Sequence, residues 1–245
     1  MSGILLQGAV ARLGGRTVLD GVDLTLRPGE LVALCGPNGA GKTSVLRAAL
    51  GLMTLDVGAA PLADLPERAR AERAAYLPQE RRIAWNLPAV EVAALGAPFL
   101  AGEATLDLAR AALDEVGVGH LADRGVAEMS GGERAKVLLA RALISPAAML
   151  LADEPAAGLD PDARLLVMER LRARADGERA VLVSLHDLGL AARFADRVVV
   201  LDQGRIMADG TPQTALDPQV LRAVFGLHAT WVEGPDGPLL SARRA

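Results

Sequence analysis

The chain has 245 residues with a formal net charge of −4, and hydrophobic residues make up 51% of it. This apolar fraction is ample for a packed core, and the length fits one domain, or one domain with an insertion. No run of Lys or Arg provides a basic surface, so the charge disfavours a nucleic acid as the main partner. The N-terminal residues lack the features of a signal peptide, and no apolar run approaches the roughly 20 residues of a membrane span. We therefore expect a soluble chain that needs a partner for any role at a membrane.

The predicted elements begin with short β-like runs over the first thirty residues, and turns at residues 14–15 and 27–29 indicate antiparallel hairpins. Residues 31–35 form an apolar strand, and a glycine-rich turn then leads into a helix over residues 41–50. Cys35, the single cysteine, ends this strand. We therefore expect a buried thiol, no intrachain disulfide and a reducing cytoplasm.

Three further apolar strands are predicted at residues 147–152, 180–185 and 197–201. Uninterrupted apolar strands separated by helices indicate a mainly parallel sheet covered on both faces. Between two of them, residues 84–145 carry helical spacing of Ala, Leu and Val, while residues 231–240 are typical of a closing hairpin. We predict one α/β domain over the whole chain, with an N-terminal antiparallel β subdomain and a helical insertion at about residues 84–145.

Residues 36–43, GPNGAGKT, fit the P-loop pattern between a strand and a helix, so the core is predicted as that of a P-loop NTPase. Backbone N–H groups of such a turn, together with the positive end of the helix dipole, bind phosphates. Lys42 would contact the β- and γ-phosphates, and the Thr43 hydroxyl would ligate Mg²⁺. The predicted nucleotide contacts are Gly36, Pro37, Asn38, Gly39, Ala40, Gly41, Lys42, Thr43 and Ser44. A P-loop alone indicates only a nucleotide, so other motifs must identify the class.

Residues 149–154, MLLADE, are an apolar strand that ends in two carboxylates. If this strand runs beside the P-loop strand, Asp153 lies near the Mg²⁺ and Glu154 lies one step further toward the γ-phosphate. Taken alone, two adjacent acids at a strand end are equally consistent with a solvated loop.

A second anion-binding motif is predicted at Ser130-Gly131-Gly132-Glu133, where Ser130 is a good helix N-cap and the glycines would expose backbone N–H groups. We call the P-loop and residues 130–133 the two phosphate-binding cradles. One nucleotide does not need two such cradles from the same subunit. Two subunits arranged head to tail explain both motifs, because each would cover the γ-phosphate bound by the other. A simple capped helix start is the alternative for the tetrapeptide in isolation.

Taken in order, residues 36–43, 130–133, 149–155, 158–160 and His186 resemble the Walker A, signature, Walker B, D-loop and switch-histidine motifs of ATP-binding cassette (ABC) ATPases. Residues 76–79 resemble the Q-loop, and the resemblance extends over about residues 3–232. It implies ATP and Mg²⁺ as cofactors and a second copy of the chain as partner. The implied nucleotide contacts across the dimer are Ser130, Gly131, Gly132 and Glu133, and the implied Mg²⁺ ligands are Thr43, Gln79 and Asp153.

The resemblance also implies catalytic roles for three residues. Gln79 would sense Mg²⁺ and the attacking water, Glu154 would polarise that water, and His186 would contact the γ-phosphate. Asp160 would lie across the dimer interface. His120 and His228 have no such context and are interpreted as structural.

The sequence departs from the family pattern at three places. Leu13 stands where most members have an aromatic residue that stacks on adenine, and it offers an apolar contact without a stack. Met129 and Glu133 stand in the signature where Leu and Gln are commonest. Residues 56–66 are too few for the usual strand-turn-strand, so we expect a trimmed edge of the antiparallel subdomain.

Residues 80–96 and 210–226 resemble the ATPases of iron–siderophore, haem and cobalamin importers, although zinc and manganese importers have similar ATPases. This resemblance implies membrane permease subunits as partners and, through them, a substrate-binding protein. The chain would then lie at the cytoplasmic face of the cell (inner) membrane. Arg81, Arg82 and Trp85 would contact the permease, with a core position as the alternative for Trp85.

Two other functions are weighed against the importer subunit. A soluble ABC ATPase acting on DNA or ribosomes usually carries long coiled-coil inserts or two cassettes in one chain. Another P-loop enzyme, such as a small-molecule kinase, leaves residues 130–133 unexplained.

Overall fold

The computed structural model describes residues 3–80, 83, 85–100, 102–234 and 237–244. Arg81 and Arg82, two of the predicted permease contacts, lie outside the described residues, and so do Pro235 and Asp236 at the centre of the predicted hairpin. The strands are β1 (Gly3–Leu13), β2 (Arg16–Leu26), β3 (Leu31–Cys35), β4 (Val57–Ala59), β5 (Ala74–Leu77), β6 (Met149–Asp153), β7 (Ala180–Leu185), β8 (Arg197–Asp202), β9 (Arg205–Gly210), β10 (Leu227–Gly234) and β11 (Gly237–Arg244).

The α-helices are α1 (Lys42–Ala49), α2 (Glu67–Arg73), α3 (Ala89–Ala94), α4 (Glu103–Glu115), α5 (Gly131–Leu143), α6 (Pro161–Arg174), α7 (Leu188–Phe194), α8 (Pro212–Ala215) and α9 (Pro218–Phe225). Short 3₁₀ helices cover Gly119–Leu121 and Val126–Glu128. Within the part of the chain that the structure describes, no helix is both long enough and apolar enough to cross a bilayer.

The central sheet has the strand order β5-β6-β7-β3-β8-β9, and only its edge pair β8–β9 is antiparallel. Both faces of β3 are covered: Leu31, Ala33 and Cys35 belong to one hydrophobic cluster, whereas Val32 and Leu34 belong to another. The continuous apolar run therefore reflects burial on both sides, and the predicted mainly parallel α/β core is confirmed.

The condition considered for the acidic strand, that it runs beside the P-loop strand, is not met. β7 lies between β3 and β6, so the strand that ends in Asp153 does not run beside the P-loop strand. The order of a parallel sheet is set by how its crossover helices pack, which the local sequence does not encode. Since the carboxyl ends of parallel strands meet at one edge of the sheet, Asp153 and the P-loop still lie at the same edge.

The N-terminal sheet has the order β2-β1-β4, with antiparallel pairs. Gly14 and Gly15, with φ of 56° and 80°, form the turn between β1 and β2, which suits glycine because both angles are positive. β4 has three exposed residues and pairs with β1 only at Gln7–Ala59 and Val10–Val57. The predicted trimmed edge is therefore observed.

The helices α3, α4 and α5 follow one another in the chain between β5 and β6. Their buried residues, such as Val92, Leu113 and Leu139, share one hydrophobic cluster with the central sheet. β10 and β11 pair antiparallel as the closing hairpin, from Leu227–Arg244 to Gly234–Gly237, which is longer than predicted. Trp231 and Leu240 from this hairpin pack against the same cluster.

Candidate nucleotide-binding site

A cavity of about 740 Å³ opens at the carboxyl ends of β3, β6 and β7. It is lined by Val18, Asn38, Gly39, Gly41, Lys42, Thr43, Ser44, Gln79, Glu154 and His186. Nine of these ten residues were predicted from sequence as nucleotide, metal or catalytic contacts, and they come from four separate parts of the chain. Val18, on β2, is the exception, because an apolar residue in a strand gives no sequence signal of a site.

The shape of the P-loop is imposed by backbone packed behind it. A Cβ added at Gly36 would lie 2.2 Å from the carbonyl oxygen of Leu201, and one added at Gly41, where φ is 109°, would lie 2.5 Å from the carbonyl oxygen of Val18. On the opposite side, a Cβ at Gly39 would meet nothing within 4 Å. The turn therefore presents an open concave face bounded by backbone, which fits phosphate groups bound by N–H donors.

The β8–β9 turn supports the P-loop directly. Gly204 donates its N–H to the carbonyl of Ala40 at 2.9 Å, and its own carbonyl accepts the N–H of Asp20 at 2.9 Å. This turn therefore joins the P-loop to β2.

Lys42 is 5% exposed, and its ammonium donates to the carbonyls of Gly36 at 2.8 Å and Pro37 at 3.2 Å. Burial lowers the pKa of Lys42, while the charges of Glu154, Cys35 and Asp153 act in the opposite direction. A bound phosphate would add negative charge beside this amine and so offset the cost of burying it. The neighbouring Cys35 is fully buried, and burial raises its pKa to about 12, as expected for an unreactive thiol.

The Glu154 carboxylate is held between two side chains. Oε2 accepts a hydrogen bond from Nε2 of Gln79 at 2.9 Å, and Oε1 pairs with Nε2 of His186. Nδ1 of His186 lies 3.4 Å from Nζ of Lys42. Because an ammonium group only donates, Nδ1 accepts in this contact and Nε2 carries the proton that faces Glu154. The three predicted catalytic residues are thus assembled next to Lys42.

Asp153 is 1% exposed and is not among the described residues that line the cavity. Its Oδ1 accepts a hydrogen bond from the Ser184 hydroxyl at 2.7 Å, and the Ser184 oxygen accepts the backbone N–H of Glu154 at 2.8 Å. Sequence reasoning missed Ser184. The available signal was one polar residue inside the apolar strand β7, since a buried hydroxyl requires partners.

The chemistry of the predicted Mg²⁺ ligands fits that ion. Thr43, Gln79 and Asp153 provide hydroxyl, amide and carboxylate oxygens, which are the hard donors that Mg²⁺ prefers. Among the described residues, no group of three or more His, Cys, Asp and Glu side chains could hold a metal. A sparse protein shell suits Mg²⁺, which usually keeps water molecules and binds substrate phosphates in addition to one or two carboxylates.

The second predicted cradle lies at the N-terminus of α5. Ser130 is the N-cap, as predicted: its hydroxyl accepts the Glu133 N–H at 3.2 Å, and its N–H donates to Glu133 Oε2 at 2.7 Å. This backbone hydrogen bond is the main cause that lowers the pKa of Glu133. A Cβ at Gly131 or Gly132 would meet nothing within 4 Å, so this helix end is open. Within the described chain, none of the four residues lines the P-loop cavity.

The remaining predicted positions are surface features. Asp160 is the N-cap of α6 and accepts the Ala163 N–H at 2.9 Å. Leu13 is 65% exposed at the end of β1 and is not among the described residues that line the cavity. Trp85 is 72% exposed, so the alternative that it is a core residue is wrong. His120 and His228 are exposed and do not line the cavity.

This chain is similar to known proteins in sequence and in fold. Residues 19–157 match the family model described as ABC transporter. The hemin import ATP-binding protein HmuV of Pseudomonas fluorescens is 42% identical over 246 residues, covering 95% of this chain and 96% of the relative. A structure described as an inward-facing conformation of a metal-chelate type ABC transporter has a TM-score of 0.84 at 20% identity, covering 100% of this chain and 98% of its own.

A third similar protein is a dimeric ATP-binding cassette in a post-hydrolysis state with bound ADP and Pi. It has a TM-score of 0.76 at 24% identity, covering 87% of this chain and 99% of its own. At these identities the two solved structures establish the fold alone.

Proposed function

Because the chain belongs to the ABC transporter family, we propose that it is the ATP-hydrolysing subunit of an importer that carries haem. The observation that carries the ATPase part is the convergence of Lys42, Gln79, Glu154 and His186 on one cavity. The haem part rests on the 42% identical relative, whose name states hemin import. Family membership argues against the small-molecule kinase.

In the proposed reaction the triphosphate lies along the open face of the P-loop, with the Lys42 ammonium between the β- and γ-phosphates. Mg²⁺, when bound with the nucleotide, would neutralise phosphate charge, with Thr43, Gln79 and Asp153 supplying oxygens. Glu154 orients the attacking water and accepts a hydrogen bond from it, since a carboxylate has lone pairs beyond those bonded to Gln79 and His186. When ATP is bound, His186 would turn its Nε2 proton from Glu154 to a γ-phosphate oxygen.

We propose that two copies act head to tail. The open helix end at Ser130, Gly131 and Gly132 lies outside the P-loop cavity of its own chain, so it is available to the nucleotide of a second copy. Its exposed N–H groups and helix dipole favour an anion there. Because the Glu133 carboxylate is engaged by the Ser130 N–H, it would shape this cradle and leave the phosphate contact to the backbone.

The permease contact is proposed for the exposed Trp85. The next residue, Asn86, accepts the Ala127 N–H at 2.9 Å and donates to Glu128 at 3.4 Å, and Val126 donates to the carbonyl of Leu87 at 3.0 Å. A displacement at Trp85 would therefore be transmitted to the 3₁₀ helix Val126–Glu128, which precedes the Ser130 cradle. Through this link, dimer closure around ATP would act on the permease.

Two experiments test the proposal. In proteoliposomes containing the permease and this chain, we expect haem accumulation that requires ATP and is lost with Glu154→Gln. ATP-dependent uptake of another metal chelate without haem uptake would contradict the cargo. In cell fractionation, we expect this chain in the membrane fraction only when the permease is present, because the partner would hold it at the cytoplasmic face.

A further inference from the structure

Ser184 lies in β7, the strand between β3, which leads into the P-loop, and β6, which ends in Asp153. Its Cα pairs with Asp153 of β6 on one side and with Leu34 of β3, one residue before Cys35, on the other. The residue is 0% exposed, and the other five residues of β7 are buried apolar side chains. A hydroxyl at this depth is retained only if protein groups satisfy it.

The Ser184 hydroxyl is satisfied by two consecutive residues. Its single proton is donated to Oδ1 of Asp153 at 2.7 Å, and its oxygen accepts the N–H of Glu154 at 2.8 Å. One hydroxyl has one donor and two lone pairs, so the two bonds are compatible and both depend on the same oxygen atom. The hydroxyl thus fixes a carboxylate orientation and a peptide orientation together.

The peptide that it holds is unusual. Glu154 has a φ of 48°, in the left-handed region that non-glycine residues rarely adopt, and such conformations persist only when the surroundings determine them. The Ala157 N–H donates to the Glu154 carbonyl at 3.1 Å, which closes a turn directly after the strand. Because of this turn the Glu154 side chain leaves the strand toward Gln79 and His186, while Asp153 faces Ser184.

We propose that Ser184 is a positioning residue for ATP hydrolysis. Its hydroxyl stabilises the left-handed conformation of Glu154 and so directs that carboxylate at the attacking water, and it fixes the orientation of the Asp153 carboxylate. This inference rests on the proposed function, since it assigns a role within the same reaction. A merely structural role predicts instead that loss of the hydroxyl lowers stability and leaves the catalytic parameters of the folded protein unchanged.

The test compares Ser184→Ala with Ser184→Thr, which keeps a hydroxyl, and with Ser145→Ala as the matched control. Ser145 is also a buried serine, 7% exposed, but its oxygen accepts the Ala147 N–H at 3.3 Å, whereas the Ser184 hydroxyl bonds Asp153 and Glu154. We expect Ser184→Ala to lower kcat by about tenfold or more with a KM for ATP within about threefold of the wild type, because misplacement of a catalytic group acts on the chemical step. Ser184→Thr should recover most of that loss, and Ser145→Ala should leave kcat unchanged.

Amide hydrogen exchange of the peptide that contains Glu154 gives a second readout without ATP or Mg²⁺. The two variants are compared under conditions where each has lost the same amount in melting temperature. Exchange should then be faster in Ser184→Ala than in Ser145→Ala, because only in Ser184→Ala does the Glu154 N–H lose its acceptor. Equal exchange in the two variants would overturn the inference even if Ser184→Thr folds poorly. So would an unchanged kcat in folded Ser184→Ala. A wild type that fails to hydrolyse ATP at all would instead refute the proposed function.

Discussion

Gln79 and Glu154 lie 75 positions apart in the chain, yet Nε2 of the first donates to Oε2 of the second at 2.9 Å. His186 pairs with the other carboxylate oxygen, so two side chains that line the cavity orient the Glu154 carboxylate. Such prior orientation reduces the reorganisation that the chemical step requires.

The two-cradle arrangement predicts different defects for two substitutions. Lys42→Ala should weaken ATP binding to a monomer by about 1.5–3 kcal/mol, the range for hydrogen bonds to a charged group. Isothermal titration with ATP on the monomer measures this loss.

Ser130→Arg should leave ATP binding to the monomer intact and prevent ATP-dependent dimerisation, because a large cation would fill the open helix end meant for the phosphate of the other copy. Light scattering with and without ATP measures the dimer. If both variants lose ATP binding to the monomer equally, the two cradles serve one site and the head-to-tail arrangement is refuted.

Leu13→Tyr tests the position next to adenine. If Leu13 faces the base, an aromatic ring should tighten ATP binding by about 0.5–1.5 kcal/mol through stacking. Leu52→Tyr is a matched control, since Leu52 is 61% exposed and Leu13 is 65% exposed. Equal affinities for the two variants would place the adenine against other residues, with Val18 as the candidate on this side of the cavity.

Local patterns predicted the elements and motifs well, because each depends on residues close in sequence. β3 coincides with the predicted apolar run at residues 31–35, and Ser130 caps α5 as expected. The position of β7 between β3 and β6 was not predictable in this way, since strand order depends on the packing of distant helices. For the same reason Ser184 was missed: its two hydrogen-bond partners lie 31 and 30 positions away, at the end of β6 and in the turn directly after it.

Trp85→Ala tests the proposed permease contact. Because the side chain is 72% exposed, its removal should leave the melting temperature of the isolated chain nearly unchanged and reduce the fraction that co-purifies with the permease. Trp231→Ala provides the contrast, since Trp231 packs against the main hydrophobic cluster and should lower the melting temperature. Unchanged permease binding by folded Trp85→Ala would remove this residue from the interface.

The most direct test of the whole account is the molar mass of Glu154→Gln in the presence of ATP and Mg²⁺. This variant should bind ATP, lose nearly all turnover because its amide cannot accept the proton of the attacking water, and accumulate as an ATP-bound dimer of twice the 25.4 kDa chain mass. The wild type under the same conditions should return to monomer as ATP is consumed. A Glu154→Gln protein that stays monomeric at saturating ATP, or that hydrolyses ATP at a rate near that of the wild type, would contradict the account.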